Sequence, residues 1–177
     1  MVEKAQIMDK QTVNRAIARI SHEILERNHG VEDICILGVK KHGVPLAKKI
    51  CEYIKIFEGA FIPFGEIDIT FQRDDLTDEQ KKTLATSSSI PCNVENKKVI
   101  IVDDVLYTGR TAKAALETIF KFGRPLSVQY VVLIDMGHRE LPLRPAYVGN
   151  NEPTSKHETV SVRFDEIDGE TGVYILE

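Results

Sequence analysis

Long hydrophobic runs are missing from this chain: the longest, Tyr130 to Ile134 with its neighbours, falls far short of the ~20 residues a membrane span needs. The opening MVEKAQIMDKQ has no continuous apolar segment and no small-residue cleavage site. No signal peptide is predicted, and a cytoplasmic location without a membrane partner follows. Cysteine is scarce: Cys35, Cys51 and Cys92 are odd in number and lack CxxC spacing, which argues against a disulfide framework and against a zinc site. They read as reduced thiols, two of them in the core. Excess positive charge is absent too. A net charge of −4 disfavours nucleic-acid binding by overall charge, so any such contact needs a local basic patch. The phosphate-binding patterns GxxxxGK[ST] and GxGxxG after a strand do not occur. What remains is 177 residues, 42% hydrophobic and 28% charged, the composition of one soluble globular domain.

Along the chain, Asp9 to Asn28 sets Val13, Ala16, Ile17, Ile20 and Ile24 on one helical stripe, and Asn28-His29-Gly30 supplies a stop. The opposite side carries Arg15, Arg19, His22 and Arg27, which read as a solvated face. Ile34 to Val39 (ICILGV) is a short apolar run predicting a strand buried on both faces. The loop KKHGVP leads into a helix with Pro45 in its first turn and Leu46, Ala47, Ile50 and Ile54 facing inward. Phe61 to Phe71 predicts two short strands. Gln72 to Lys98 is polar and Ser/Thr-rich, with a short helix expected at Thr77 to Leu84; a stretch of this kind inside a compact domain reads as a lid.

After it come the strand VIIV, a helix striped by Ala112, Ala115, Leu116 and Ile119, and the buried strand SVQYVVLID. Residues 136 to 158 form a Gly/Pro-rich connection, TVSVRF alternates as a strand, and the chain closes on a Gly-rich turn and a last strand, Val173 to Leu176. Strand-helix alternation around buried apolar strands predicts an α/β fold with a mainly parallel central sheet flanked by helices. Ligands of such folds sit at the carboxyl ends of the strands, where Lys40 to Gly43, Asp103-Asp104 and Asp135 to His138 should converge.

The stretch VIIVDDVLYTGRTAKAAL ends a buried strand on two adjacent carboxylates, Asp103 and Asp104, before a turn opens a helix. Two such acids repel one another unless a cation or hydroxyls satisfy them. The loop Tyr107-Thr108-Gly109-Arg110-Thr111 lies at a helix N-terminus, where free N–H groups and the helix dipole favour an anion and glycine permits close approach. Thr108 or Thr111 could alternatively serve only as an N-cap. A ligand with a phosphate on one side and vicinal hydroxyls on the other answers both halves, and a ribose 5-phosphate fits. A response-regulator receiver domain also pairs acids, but near its start rather than past the midpoint.

VIIVDDVLYTGRT, Val99 to Thr111, resembles the phosphoribosyl pyrophosphate (PRPP) signature of type I phosphoribosyltransferases. With RISHEILERN (Arg19 to Asn28), GEIDITFQRDDL (Gly65 to Leu76), GRP (Gly123 to Pro125), GHRELPLR (Gly137 to Arg144) and PTSK (Pro153 to Lys156), the chain resembles the PyrR family across nearly its whole length. These are bifunctional pyrimidine operon regulators with uracil phosphoribosyltransferase activity. The resemblance implies a type I phosphoribosyltransferase fold over residues 1–177, with a lid at about 72–95 and a small hood at about 136–165 plus the N-terminal segment. It implies that Asp103 and Asp104 hold the ribose hydroxyls, that Val105, Leu106, Tyr107, Thr108, Gly109, Arg110 and Thr111 complete the PRPP loop, and that Lys40, Lys41, His42 and Gly43 grip pyrophosphate. Arg73 of the lid joins Asp103 and Asp104 as a catalytic residue; Asp135, Met136 and Val160 are implied for uracil. Mg²⁺ is the implied cofactor, held mainly by PRPP rather than directly by the protein.

The implied reaction makes UMP and pyrophosphate from uracil and PRPP. The implied second role is UMP-dependent binding of a pyrimidine-operon leader mRNA, with Arg19, His22, His138, Arg139 and Arg144 as the local basic surface of a homodimer or larger homo-oligomer. Four positions depart from the family pattern. Lys40-Lys41-His42-Gly43 stands where the family usually has K-T-R-G, Met136 replaces the first Arg of D-R-G-H-R, and Asn150 replaces a Lys. The changes at His42, Met136 and Asn150 each remove a cation, and Lys41 compensates only in part for the first. Two other readings therefore stand beside the first: a UMP- or PRPP-sensing RNA-binding regulator with little catalysis, and an enzyme without RNA binding.

Overall fold

The apolar runs ICILGV and VIIV lie side by side at the centre of a parallel sheet in the computed structural model, which describes residues 1–69, 90 and 93–177. In chain order the described elements are β1 (Glu3–Met8), α1 (Lys10–Asn28), β2 (Ile34–Val39), α2 (Gly43–Glu58), β3 (Phe64–Ile67), β4 (Lys98–Leu106) and α3 (Arg110–Phe122), followed by β5 (Ser127–Asp135), β6 (Tyr147–Asn151), β7 (Thr159–Arg163), α4 (Asp165–Asp168) and β8 (Gly172–Leu176). The main sheet has the order β3-β2-β4-β5-β6 and is parallel throughout. A second, antiparallel sheet has the order β1-β8-β7.

Alternation along the central strands explains why their sequences read as continuous apolar runs. Ile34, Ile36, Ile100, Val102, Val131 and Leu133 pack with the stripes of α1 and α2, whereas Cys35, Leu37, Val39, Val99 and Ile101 pack with Ala115 and Ile119 of α3. Both faces are covered, so no position along these strands is free to be polar. The α1 stripe is as predicted, and Asp9 caps that helix by accepting from the Thr12 amide at 2.8 Å. A cap of this type is worth about 1 kcal/mol. On α3 the buried residues are Ala112, Ala115, Thr118 and Ile119, with Leu116 packed partly against the same cluster.

Several expectations are corrected. The segment from Phe61 holds one described strand, Phe64–Ile67; Asp68 and Ile69 lie outside any strand. The connection 136 to 158 contains β6, whose sequence YVGNN lacks alternation because it is an edge strand paired only with β5. Arg19 donates to the carbonyls of Val148 (3.1 Å) and Gly149 (2.7 Å), so a side chain from α1 satisfies backbone groups of this edge strand. The small sheet is built from both ends of the chain, β1 with β8 and β7, while β6 joins the main sheet. Cys35 is disulfide-bonded and Cys51 is free, which corrects the expectation of three reduced thiols. An odd count leaves room for one bond, and Ile90 and Val94 pack in the same cluster as Cys35. Burial pushes the Cys51 thiol up to about 12, which leaves it protonated. Arg73, the helix expected at Thr77 to Leu84 and most of the expected lid lie outside the described residues.

Candidate active site

The carboxyl end of β4 carries the two acids, and strand alternation sends them to opposite faces. Asp103 continues the Val99–Ile101 face toward α3, and Asp104 continues the Ile100–Val102 face toward the β2–α2 loop. Asp103 is 5% exposed. Its two oxygens accept separately, one from the Asp104 amide at 3.0 Å and the other from the Tyr130 hydroxyl at 3.0 Å. Burial, and then the neighbouring Asp104 charge, push the Asp103 carboxyl well above the usual carboxylate range. Asp104 accepts from the Val105 amide at 2.9 Å, and its carboxylate lies 3.9 Å from His42 Nδ1.

Gly109 opens α3 with φ of +96°, a left-handed conformation that glycine adopts without steric cost. No side chain caps this helix, so neither Thr108 nor Thr111 is an N-cap and the first-turn amides stay available to an anion. The Thr108 carbonyl accepts from the Glu140 amide at 2.9 Å, and Arg110 pairs with Glu140 at 3.0 Å. Tyr107 meets the ring of His138 edge-on, 5.4 Å between centroids. These contacts join the loop after β4 to the loop after β5.

The β2–α2 loop approaches from the other side. A Cβ on Gly43 would lie 2.4 Å from the Val102 carbonyl oxygen, so only glycine lets the start of α2 sit against β4. The Lys40–Lys41 peptide is cis. Lys40 Nζ lies 3.9 Å from Glu66 and 3.8 Å from Asp68, and His42 Nε2 lies 3.2 Å from Asp168 of α4. His42 thus stands between a carboxylate of the main sheet and one of the small-sheet side.

Asp135 ends β5, accepts from the Gly137 amide at 2.9 Å and pairs with Arg139. Met136 is buried, its amide bonded to the Leu106 carbonyl at 3.0 Å, and it shares a cluster with Val160 of β7. His138 lies 2.8 Å from the Thr154 carbonyl. The five residues named for RNA are divided among several surfaces. Arg19 pairs with Glu23 and binds the β6 carbonyls; His22 stacks on Phe57, 3.8 Å between centroids; Arg144 stands with Arg27 at a cavity of about 370 Å³ between α3 and the β5–β6 connection. His138 and Arg139 lie instead beside the strand ends.

Two residues of the site escaped the sequence reading. Tyr130 sits inside a strand, and only the register that places it opposite Ile101 brings it diagonally next to Asp103. Asp168 lies in a four-residue helix within what reads as a Gly-rich turn, and nothing in the sequence ties it to His42.

The phosphoribosyl transferase domain family matches residues 3–167. A bifunctional protein PyrR of Clostridioides difficile (strain 630) is 52% identical over 177 residues, spanning 100% of both chains. That of Pelotomaculum thermopropionicum is 52% identical over 175 residues, 99% of this chain and 97% of its own. Among solved structures, the hypoxanthine phosphoribosyltransferase of Trypanosoma cruzi superposes with a TM-score of 0.76 at 18% identity, covering 99% of this chain and 97% of that one. A hypoxanthine-guanine phosphoribosyltransferase of Bacillus anthracis gives 0.73 at 18% identity over the full length of both. At such identity these structures speak for the fold alone. With a domain match over most of its length and relatives more than half identical from end to end, the chain belongs to the phosphoribosyltransferase domain family and, within it, to the bifunctional PyrR proteins.

Proposed function

We propose that this chain transfers the phosphoribosyl group of PRPP to uracil, giving UMP and pyrophosphate, and that its UMP-bound form binds pyrimidine-operon leader mRNA to promote transcription termination. The observation that carries the reading is the meeting of three loops at the carboxyl ends of β2, β4 and β5. Gly43 packs against the β4 backbone, Asp104 faces His42, and Tyr107 touches His138. In this reading Asp103 and Asp104 accept the ribose 2- and 3-hydroxyls. The amides from Thr108 to Thr111, at the positive end of α3, take the 5-phosphate. Lys40, Lys41 and His42 face the pyrophosphate, and Asp135, Met136 and Val160 enclose the base.

The chemistry asks little of any one side chain. The bond from the ribose C1 to pyrophosphate breaks as the bond to a uracil nitrogen forms, through a transition state resembling an oxocarbenium ion. The protein aligns the two reactants, neutralises the leaving group and excludes water. When bound together with PRPP, Mg²⁺ would supply charge neutralisation on the pyrophosphate. Hard carboxylate oxygens at the strand ends are donors that suit an ion held mostly by substrate phosphates. Residues 1–177 act as one domain, with the β1-β8-β7 sheet as its hood, in a homodimer or larger homo-oligomer in the cytoplasm. Among the described residues no helix is long and apolar enough to cross a membrane.

Mixing the protein with Mg²⁺, PRPP and uracil should release pyrophosphate and UMP; silence would defeat the enzyme reading and leave a UMP- or PRPP-sensing regulator. Asp103→Asn combined with Asp104→Asn should abolish PRPP binding in calorimetry while circular dichroism stays unchanged, because removing two crowded charges does not harm the sheet. Retained PRPP binding would overturn the assignment of these acids. A gel shift with leader RNA, with and without UMP, tests the second role; a shift indifferent to UMP would sink it.

A further inference from the structure

We infer that Tyr130 is a positioning residue for phosphoribosyl transfer, its hydroxyl holding the Asp103 carboxylate in the orientation that receives a ribose hydroxyl. The inference rests on the proposed role of Asp103. The geometry behind it is local and specific. Asp103 is buried and has two anchors: the Asp104 amide, which the backbone fixes, and the Tyr130 hydroxyl on the neighbouring strand, 3.0 Å from its other oxygen. With one oxygen tied to a main-chain amide and the other to a side chain of β5, rotation about the Cβ–Cγ bond is blocked. The lone pairs left over then point in one direction.

Removing the second anchor has two consequences. The carboxylate becomes free to turn about its remaining bond, and a buried charge beside Asp104 loses a donor that favours its ionised form. Tyr130 itself stays protonated and able to donate, since burial first and the Asp103 charge second raise its hydroxyl well above the ordinary tyrosine value. Among the described residues the titratable groups around this pair are Asp104 on the same strand, Asp135 on β5 with Arg139 beside it, and His42 across Asp104. Arg27 and Arg144 stand at the 370 Å³ cavity that borders the Tyr130 ring. Because Tyr130 packs partly buried against the cluster under α3 and lines that cavity, phenylalanine keeps the packing and deletes only the hydroxyl.

The experiment compares wild type, Tyr130→Phe, Asp103→Asn and the double variant by steady-state kinetics, PRPP calorimetry and thermal unfolding. Tyr130→Phe should raise the KM for PRPP by about tenfold, as expected for a lost hydrogen bond to a charged group, and leave the KM for uracil unchanged. The acidic limb of kcat/KM for PRPP should move to higher pH, because the neutral form of Asp103 is then favoured. In the Asp103→Asn background the same change should cost nothing further, since Tyr130 would have no carboxylate to orient. If Asp103→Asn loses PRPP but Tyr130→Phe keeps the wild-type KM and pH profile, the inference about Tyr130 is overturned and the site stands. A Tyr130→Phe protein that weakens both substrates equally with a lowered Tm also overturns it. If Asp103→Asn binds PRPP like wild type, the underlying assignment of Asp103 has failed instead.

Discussion

A buried carboxylate next to a second one is costly unless donors meet it, and at Asp103 both oxygens are met from inside the protein. The acid pair was legible in the sequence because charge interrupts an apolar run. Its donor was not, because a tyrosine in a strand looks like any other core residue until the neighbouring strand's register is known. His42 shows the reverse. It was legible as a departure from the family's loop, whereas its place between Asp104 and Asp168 came only from the fold. An arginine there would bring a permanent forked cation to the same two carboxylates and, in the proposed reading, to the leaving group. His42→Arg should therefore lower the KM for PRPP roughly three- to tenfold, measured at saturating uracil. An unchanged or higher value would place the pyrophosphate elsewhere.

At the scale of elements, the site depends on how closely α2 and α3 begin to β4. Gly43 has no room for a Cβ, since the obstacle is the Val102 carbonyl rather than a side chain that could swing away. Gly43→Ala should cost about 1–3 kcal/mol, typical of overpacking, and lower Tm by several degrees in differential scanning calorimetry. It should also weaken PRPP binding, because the loop bearing Lys40 to His42 must shift. The helices and central strands were legible through periodicity and buried runs. β6 was not, because an edge strand of five mixed residues carries neither alternation nor an apolar run, and its support by Arg19 is a contact over 129 positions. The same contact shows why the solvated-face reading of α1 was incomplete.

At the scale of the whole molecule, the chain's two ends close one sheet, and Lys4 on β1 ties to Glu158 just before β7. The hydrogen bond from Lys4, and after it the one from the Ser155 amide at 2.8 Å, hold the Glu158 carboxyl down at about 2, against an ordinary 4.5. A depressed carboxylate stabilises above its unfolded value and loses that contribution as pH falls through the folded one. Lys4→Met should therefore lower the urea midpoint at pH 6, with the gap to wild type narrowing as pH drops below 4.5 toward 2. A gap that stayed constant over that range would refute the linkage. With a net charge of −4, the proposed RNA binding must come from a few local cations. Arg144→Ala should weaken leader RNA binding and reduce the salt slope of log K by about one if this residue meets a phosphate. By itself the sequence determined the parallel α/β architecture and the pair of acids that ends a buried strand before a glycine-opened helix, because hydrophobic period, loop composition and charge at a strand end are local properties. Only the tertiary structure decided that Tyr130 anchors Asp103, that Asp168 faces His42 and that Arg19 supports β6, because those pairings depend on strand register and on segments distant in the chain.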